Sequence, residues 1–346
     1  MQAAQLCGHT SCATETATTN GTSEFERGAE LVGKAKLAIA LSTLTVVAIV
    51  AWAIPIVGIA HQRVQRPERT WFSAPMPVAP IRLRDEHSGL TTSGWINGAG
   101  PFVFAIDTGA GVSLISGNVV ARAGLRVAKS RRPLVGGLST SPISSDHEAR
   151  ISGLSLGRRE NTIPGSFTAA VVNNLPSSID GILDPTEVFS PFGYSVDLPN
   201  RELRVLDTSS HRLRLTDVPR DGAVVRWVRE PGSQRPFVRL EDGRLALLDT
   251  GSVFGLALNE PRRATGANHK RGDTIHDLGG GTVQSRRVTP QTVSIGTLVL
   301  NGVPTDVLTG VAPGTPIILG RRALFPFRIT FDPVSRLIAF EPAEDD

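Results

Sequence analysis

The tripeptide Asp-Thr-Gly occurs twice, as Asp107-Thr108-Gly109 and Asp249-Thr250-Gly251, each time closing an apolar run, Phe102–Ile106 and Leu245–Leu248. At average residue usage a chain of this length would contain the tripeptide about 0.07 times. Two copies with the same apolar lead-in are therefore not an accident of composition. A strand that ends on a carboxylate, a hydroxyl and a hinge makes chemical sense if two such ends meet and present both carboxylates to one water.

The surroundings repeat as well. Asn97-Gly98 precedes the first run and Asp242-Gly243 the second, both supplying the positive-φ residues that tight hairpins need. Glycines follow 29 and 30 residues after the two Asp residues, as Gly136-Gly137 and Gly279-Gly280-Gly281. Strands ending in Gly157 and Gly296 come next, then Ile182-Leu183-Asp184 and Ile318-Leu319-Gly320. Each half closes with a short helical stretch and a strand, around Gly193–Leu198 and Arg328–Asp332. The pattern is a unit of roughly 120 residues present twice, the self-similarity that marks a duplicated fold.

These motifs resemble those of the retropepsin-like and pepsin-like aspartic proteases, in a bacterial-type, membrane-anchored form, over about residues 81–343. The resemblance implies an all-β, bilobal acid-protease fold of two similar β-barrel lobes in one chain, with a single N-terminal transmembrane helix ahead of them. It implies an aspartic endopeptidase whose catalytic residues are Asp107 and Asp249, sharing one proton because two carboxylates so close cannot both ionise. Thr108, Gly109, Thr250 and Gly251 support the catalytic loops. Ser252, which has Ala110 as its counterpart, is expected to donate to Asp249 and favour its charged form. Gly136, Gly137, Gly279 and Gly280 are expected at the tips of substrate-binding flaps. The family's flap tyrosine has no counterpart, since Tyr194 is the chain's only Tyr. A protease-like fold that binds peptides of the cell envelope without cutting them is the alternative. Pairing of like halves between two chains is a third arrangement.

Asp184 departs from the repeat, standing where the second half has Gly320. Asp184-Pro185-Thr186-Glu187 is a capping-box pattern with Pro at the first helical position, so a helix cap is the expected role. Gly181 is expected to supply some of the missing freedom.

Composition supports the class. With 35 Gly, 24 Pro and no long amphipathic window, the chain reads as β. Its net charge is +4 and only Lys34, Lys36, Lys129 and Lys270 are lysines; the arginines are dispersed and lack aromatic interleaving, against a nucleic-acid surface. Cys7 and Cys12, with His9 between them, lie in a polar tail, and residues 13–346 contain no Cys. No metal site or cofactor is expected, and no Gly-x-Ser-x-Gly supports a serine hydrolase. Leu37–Ala60 is free of charge over 24 residues, long enough to span a bilayer. The expected organisation is a disordered tail (1–33), a signal anchor (34–60), a juxtamembrane linker (61–80), a first lobe (81–208), a connection (209–236) and a second lobe (237–346). The large C-terminal part is expected outside the cytoplasm, acting on a peptide or protein substrate. A form cleaved near Gly58-Ile59-Ala60 and secreted is the alternative.

Overall fold

In the first half, the Gly89–Ile96 and Ala99–Ile106 strands turn on Asn97 and Gly98, at φ 51° and 78°, as the Asn-Gly pair predicts. In the second, Phe237–Arg239 and Leu245–Asp249 are joined through Asp242 and Gly243, with Gly243 at φ 84°. The computed structural model describes residues 78–86, 89–139, 143–208, 212–230, 233–259, 273–276 and 282–343. Among these the chain is all-β, with strands throughout and three short helices: α1 (Gly117–Ala123), α2 (Pro185–Val188) and α3 (Arg321–Leu324). Residues 1–77, including Cys7, His9, Cys12 and the apolar Leu37–Ala60 segment, lie outside the described residues. No helix among the described residues is long and apolar enough to cross a membrane.

The duplication extends to topology. In the first half seven strands lie side by side in the order Gly89–Ile96, Ala99–Ile106, Gly181–Leu183, Ser113–Ser116, Phe167–Val172, Ile143–Ile151, Val127–Gly136. The second half has Phe237–Arg239, Leu245–Asp249, Ile317–Gly320, Leu256–Asn259, Leu298–Thr309, Thr282–Ile295, Asp273–His276 in the same order. The pairing directions also agree, with parallel neighbours at Ala99–Ile106/Gly181–Leu183 and at Leu245–Asp249/Ile317–Gly320. A parallel neighbour places the next chain segment beside the strand end. Leu183 pairs with Ile106, so Asp184 follows next to Asp107; in the second half Gly320 pairs with Asp249 directly.

A third sheet of six strands joins the halves, in the order Ile81–Arg82, Glu202–Leu206, Gly193–Asp197, Phe327–Asp332, Leu337–Pro342, Ala223–Arg226. At its centre Gly193–Asp197 from the first half runs antiparallel to Phe327–Asp332 from the second, with Tyr194 opposite Phe331 and Val196 opposite Ile329. The Tyr194 and Phe331 rings stack 4.6 Å apart and both are fully buried. One apolar core runs continuously from Phe102 and Phe104 through Tyr194 and Phe331 to Leu248 and Leu319. Burial on this scale, at about 25 cal/mol per Å², is what holds two strand ends in fixed mutual register.

Candidate active site

The two Asp-Thr-Gly loops meet where the halves join, and the threonines lock them. Thr108 N–H donates to Thr250 Oγ1 at 3.1 Å, and Thr250 N–H donates to Thr108 Oγ1 at 3.1 Å. Each hydroxyl then donates to the opposite strand, Thr108 Oγ1 to Leu248 O at 2.7 Å and Thr250 Oγ1 to Ile106 O at 3.3 Å. Both threonines are fully buried, so every bond of this four-way link exists without competition from water.

The glycines are explained by the opposite carboxylate. A Cβ on Gly109 would lie 2.6 Å from Asp249 Cγ, and one on Gly251 would lie 2.5 Å from Asp107 Cγ. Neither position tolerates a side chain while the two acids face each other. Gly109 N–H donates to Asp107 Oδ1 at 2.8 Å, and Ser252 N–H donates to Asp249 Oδ1 at 2.9 Å. Asp107 and Asp249 hydrogen-bond one another and remain partly exposed at the floor of the site.

Burial raises the pKa of both carboxyls. The bond between them lowers that of Asp107 and raises that of Asp249, and the Arg321 guanidinium also lowers Asp107. Two carboxyls raised together in this way titrate as one coupled pair. The hydroxyl of Ser252 does not reach the carboxylate; it accepts from Phe254 N at 3.3 Å, and only the backbone of Ser252 serves Asp249.

Residues 92–183 match the family model described as Aspartyl protease. The match supports an aspartyl protease family, and with it a peptidase. It holds the first Asp-Thr-Gly loop and stops at Leu183, one residue before Asp184. No curated protein matches the chain. The second loop lies outside the matched segment and is tied to it by the repeated topology and the threonine lock.

The first expected flap lies in the hairpin of Val127–Gly136 and Ile143–Ile151, with Gly136 ending a strand and Gly137 at φ 119°. The chain just beyond is docked across the molecule: Ala312 N–H donates to Leu138 O at 2.8 Å, and Ser139 bridges to Val311. Leu138 and Val311 pack on Phe254, Ala257, Leu308 and Ile318 of the second half. Gly279 and Gly280 lie outside the described residues, between Asp273–His276 and Thr282–Ile295, which pair antiparallel. Among the described residues no three His, Cys, Asp or Glu side chains group at metal-ligand distances.

Three parts of the site are not evident from local sequence. Asp184 caps α2 as expected, its Oδ1 accepting from Thr186 N at 2.8 Å, but Glu187 does not close the capping box. Its Oε2 accepts instead from Ser113 N at 2.7 Å, while Asp184 N–H donates to Ser113 Oγ at 3.2 Å. Gly181 is a packing residue: a Cβ there would lie 2.5 Å from Leu114 O and 2.8 Å from Phe104. Arg321 on α3, largely buried, reaches Asp85 of the first half at 3.0 Å. The contrast between Asp184-Pro185 and Gly320-Arg321, visible when the halves are aligned, is the signal that could have drawn attention to Arg321.

Proposed function

We propose that the chain is an aspartic endopeptidase with a bilobal acid-protease fold, its lobes spanning about 81–208 and 237–346. The observation that carries this reading is the reciprocal Thr108–Thr250 lock, which sets two carboxyls face to face over glycines that leave room for nothing else. In this reading Asp107, beside the Arg321 guanidinium, is the partner that ionises and takes a proton from a bound water as general base. Asp249, protonated, donates to the scissile carbonyl oxygen as the tetrahedral intermediate forms. Collapse of that intermediate returns a proton to the leaving amine and restores the shared state. The segment around Gly137–Ser139 roofs the site and excludes water when substrate is bound. In this reading Leu37–Ala60 anchors the protein to a membrane and holds the protease part outside the cytoplasm.

The test is cleavage of a mixture of internally quenched peptides by the purified full chain. Asp107→Asn and Asp249→Asn should each lower turnover at least about 100-fold. Turnover that survives either change would remove the dyad reading. A wild type that binds these peptides and never cleaves them would favour the binding-protein alternative.

A further inference from the structure

Asp184 is a buried acid directly behind the first Asp-Thr-Gly loop that the mechanism leaves unused. It is fully buried, in a half whose repeat partner at that position is glycine. The strand before it lies parallel to the strand before Asp107, and Asp107 N–H donates to Leu183 O at 3.0 Å, so the two acids begin from adjacent backbone. Asp184 Oδ1 is occupied by Thr186 N, whereas Oδ2 has no hydrogen-bond partner. A carboxylate oxygen in that state would be an unpaired buried charge, whereas a protonated oxygen is only an unpaired dipole. The ionisable groups facing it are Asp107 at the strand end, Glu187 on α2 and Tyr194 on the central sheet. Glu187, itself raised by burial, accepts from Ser113, whose hydroxyl in turn accepts from Asp184 N–H. Tyr194 hydroxyl bonds the Thr186 hydroxyl at 2.9 Å, closing the far side of the cluster.

We propose that Asp184 is a positioning residue of the dyad: a third carboxyl, protonated behind the first Asp-Thr-Gly loop, whose charge, once formed, makes the dyad hold its last proton to higher pH. The proposal rests on the reading of Asp107 and Asp249 as the catalytic pair. Its electrostatics follow from the cluster. Burial, and then the nearby Glu187 and Asp107, push Asp184 up to about 8. Through the acid and neutral range Asp184 is thus uncharged and leaves the dyad's first ionisation alone. At alkaline pH its proton leaves to solvent, and the new anion beside Asp107 opposes a second negative charge on the dyad.

The experiment compares initial-rate pH profiles of the full-length wild type, Asp184→Asn and Asp184→Gly on the same peptide mixture, with Asp107→Asn as control. The acid limb should coincide in all three active proteins. The alkaline limb should move to lower pH in both Asp184 variants, by on the order of one pH unit. A residue that only caps α2 predicts otherwise, because Asn caps as well as Asp. An unmoved alkaline limb in Asp184→Asn overturns the proposal. Asp184→Gly, which copies the second half, carries the same test should the Asn variant not fold. Infrared spectra give a readout independent of cleavage. The carbonyl band of protonated carboxyls at neutral pH should be weaker in Asp184→Asn than in the wild type, and equal bands overturn the proposal. If Asp107→Asn cleaves like the wild type, the catalytic reading fails instead, while the infrared band still decides whether Asp184 holds its proton.

Discussion

The first and second halves share seven strands in one order, yet behind their Asp-Thr-Gly loops they differ where Asp184 stands opposite Gly320. Behind the second loop there is no room: a Cβ on Gly320 would lie 2.5 Å from Phe254 O and 2.9 Å from Ser252 Oγ. Behind the first loop an entire carboxyl fits, with the backbone of Asp184 held by the Ser113 hydroxyl and its side chain capping α2. A duplicated frame therefore fixes where the two acids sit without fixing what stands behind them. The residues that break the symmetry, Asp184 in one half and Arg321 in the other, both lie within electrostatic reach of Asp107, which raises Asp184 and is lowered by Arg321.

The largest effects should fall where the halves are still alike. Gly109→Ala and Gly251→Ala each drive a Cβ to within 2.6 Å of the opposite carboxyl. The acids must move apart, and misplacement on the scale of 1 Å costs about 100-fold in turnover. Both variants should lose at least that much on the peptide mixture, to similar extents. A tolerated alanine in either half would break the equivalence of the loops.

Exchanging the residues that differ should give unequal costs. Gly320→Ala meets backbone oxygen and should destabilise by about 1–3 kcal/mol, the usual cost of overpacking. Asp184→Gly loses a cap that glycine replaces at a cost of a few tenths of a kcal/mol, and it removes a polar oxygen that has no partner. Thermal midpoints at acid pH should therefore fall further for Gly320→Ala. Equal losses would show that the two positions are under the same packing constraint after all.

How pH acts on stability sharpens the contrast. Asp184 titrates at about 8 in the folded chain against 3.8 for the ordinary group. The folded state thus keeps a proton that the unfolded chain releases. The associated stability is complete below about pH 4 and is lost as pH rises toward 8, a difference on the order of several kcal/mol. Gly320 contributes no such slope. Asp184→Asn should flatten the decline between acid and mildly alkaline pH while leaving the part due to the dyad, whose raised carboxyls act with the same sign. Parallel stability-against-pH curves for wild type and variant would contradict this.

Much of this frame was legible in the sequence. The strand ends, the Asn97-Gly98 turn and the matched glycine offsets are local signals, written in alternation and in residues that tolerate positive φ. The threonine lock could be anticipated from the resemblance alone, because its partners are 142 residues apart. The Glu187–Ser113 and Arg321–Asp85 contacts had no local signal, since they join positions 74 and 236 residues apart. The order of the seven strands is likewise a property of pairing, which a pattern of apolar residues does not encode. Ser252 shows the limit most sharply: a hydroxyl beside an acid in sequence has several acceptors and donors within reach, and only packing selects among them.

That selection makes the smallest predicted effect the most discriminating. Ser252 is the second half's counterpart of Ala110, and its hydroxyl bonds Phe254 N rather than the Asp249 carboxyl. Removing it in Ser252→Ala leaves the backbone bond to Asp249 in place. The loss should be one neutral hydrogen bond, about 1 kcal/mol of stability, and the acid limb of the pH profile should stay where it is. Had the hydroxyl favoured the charged form of Asp249, its removal would move that limb to higher pH. The limb's position therefore separates a loop held by backbone from a carboxylate tuned by a side chain, and an upward shift would show that the hydroxyl favours the charged form of Asp249.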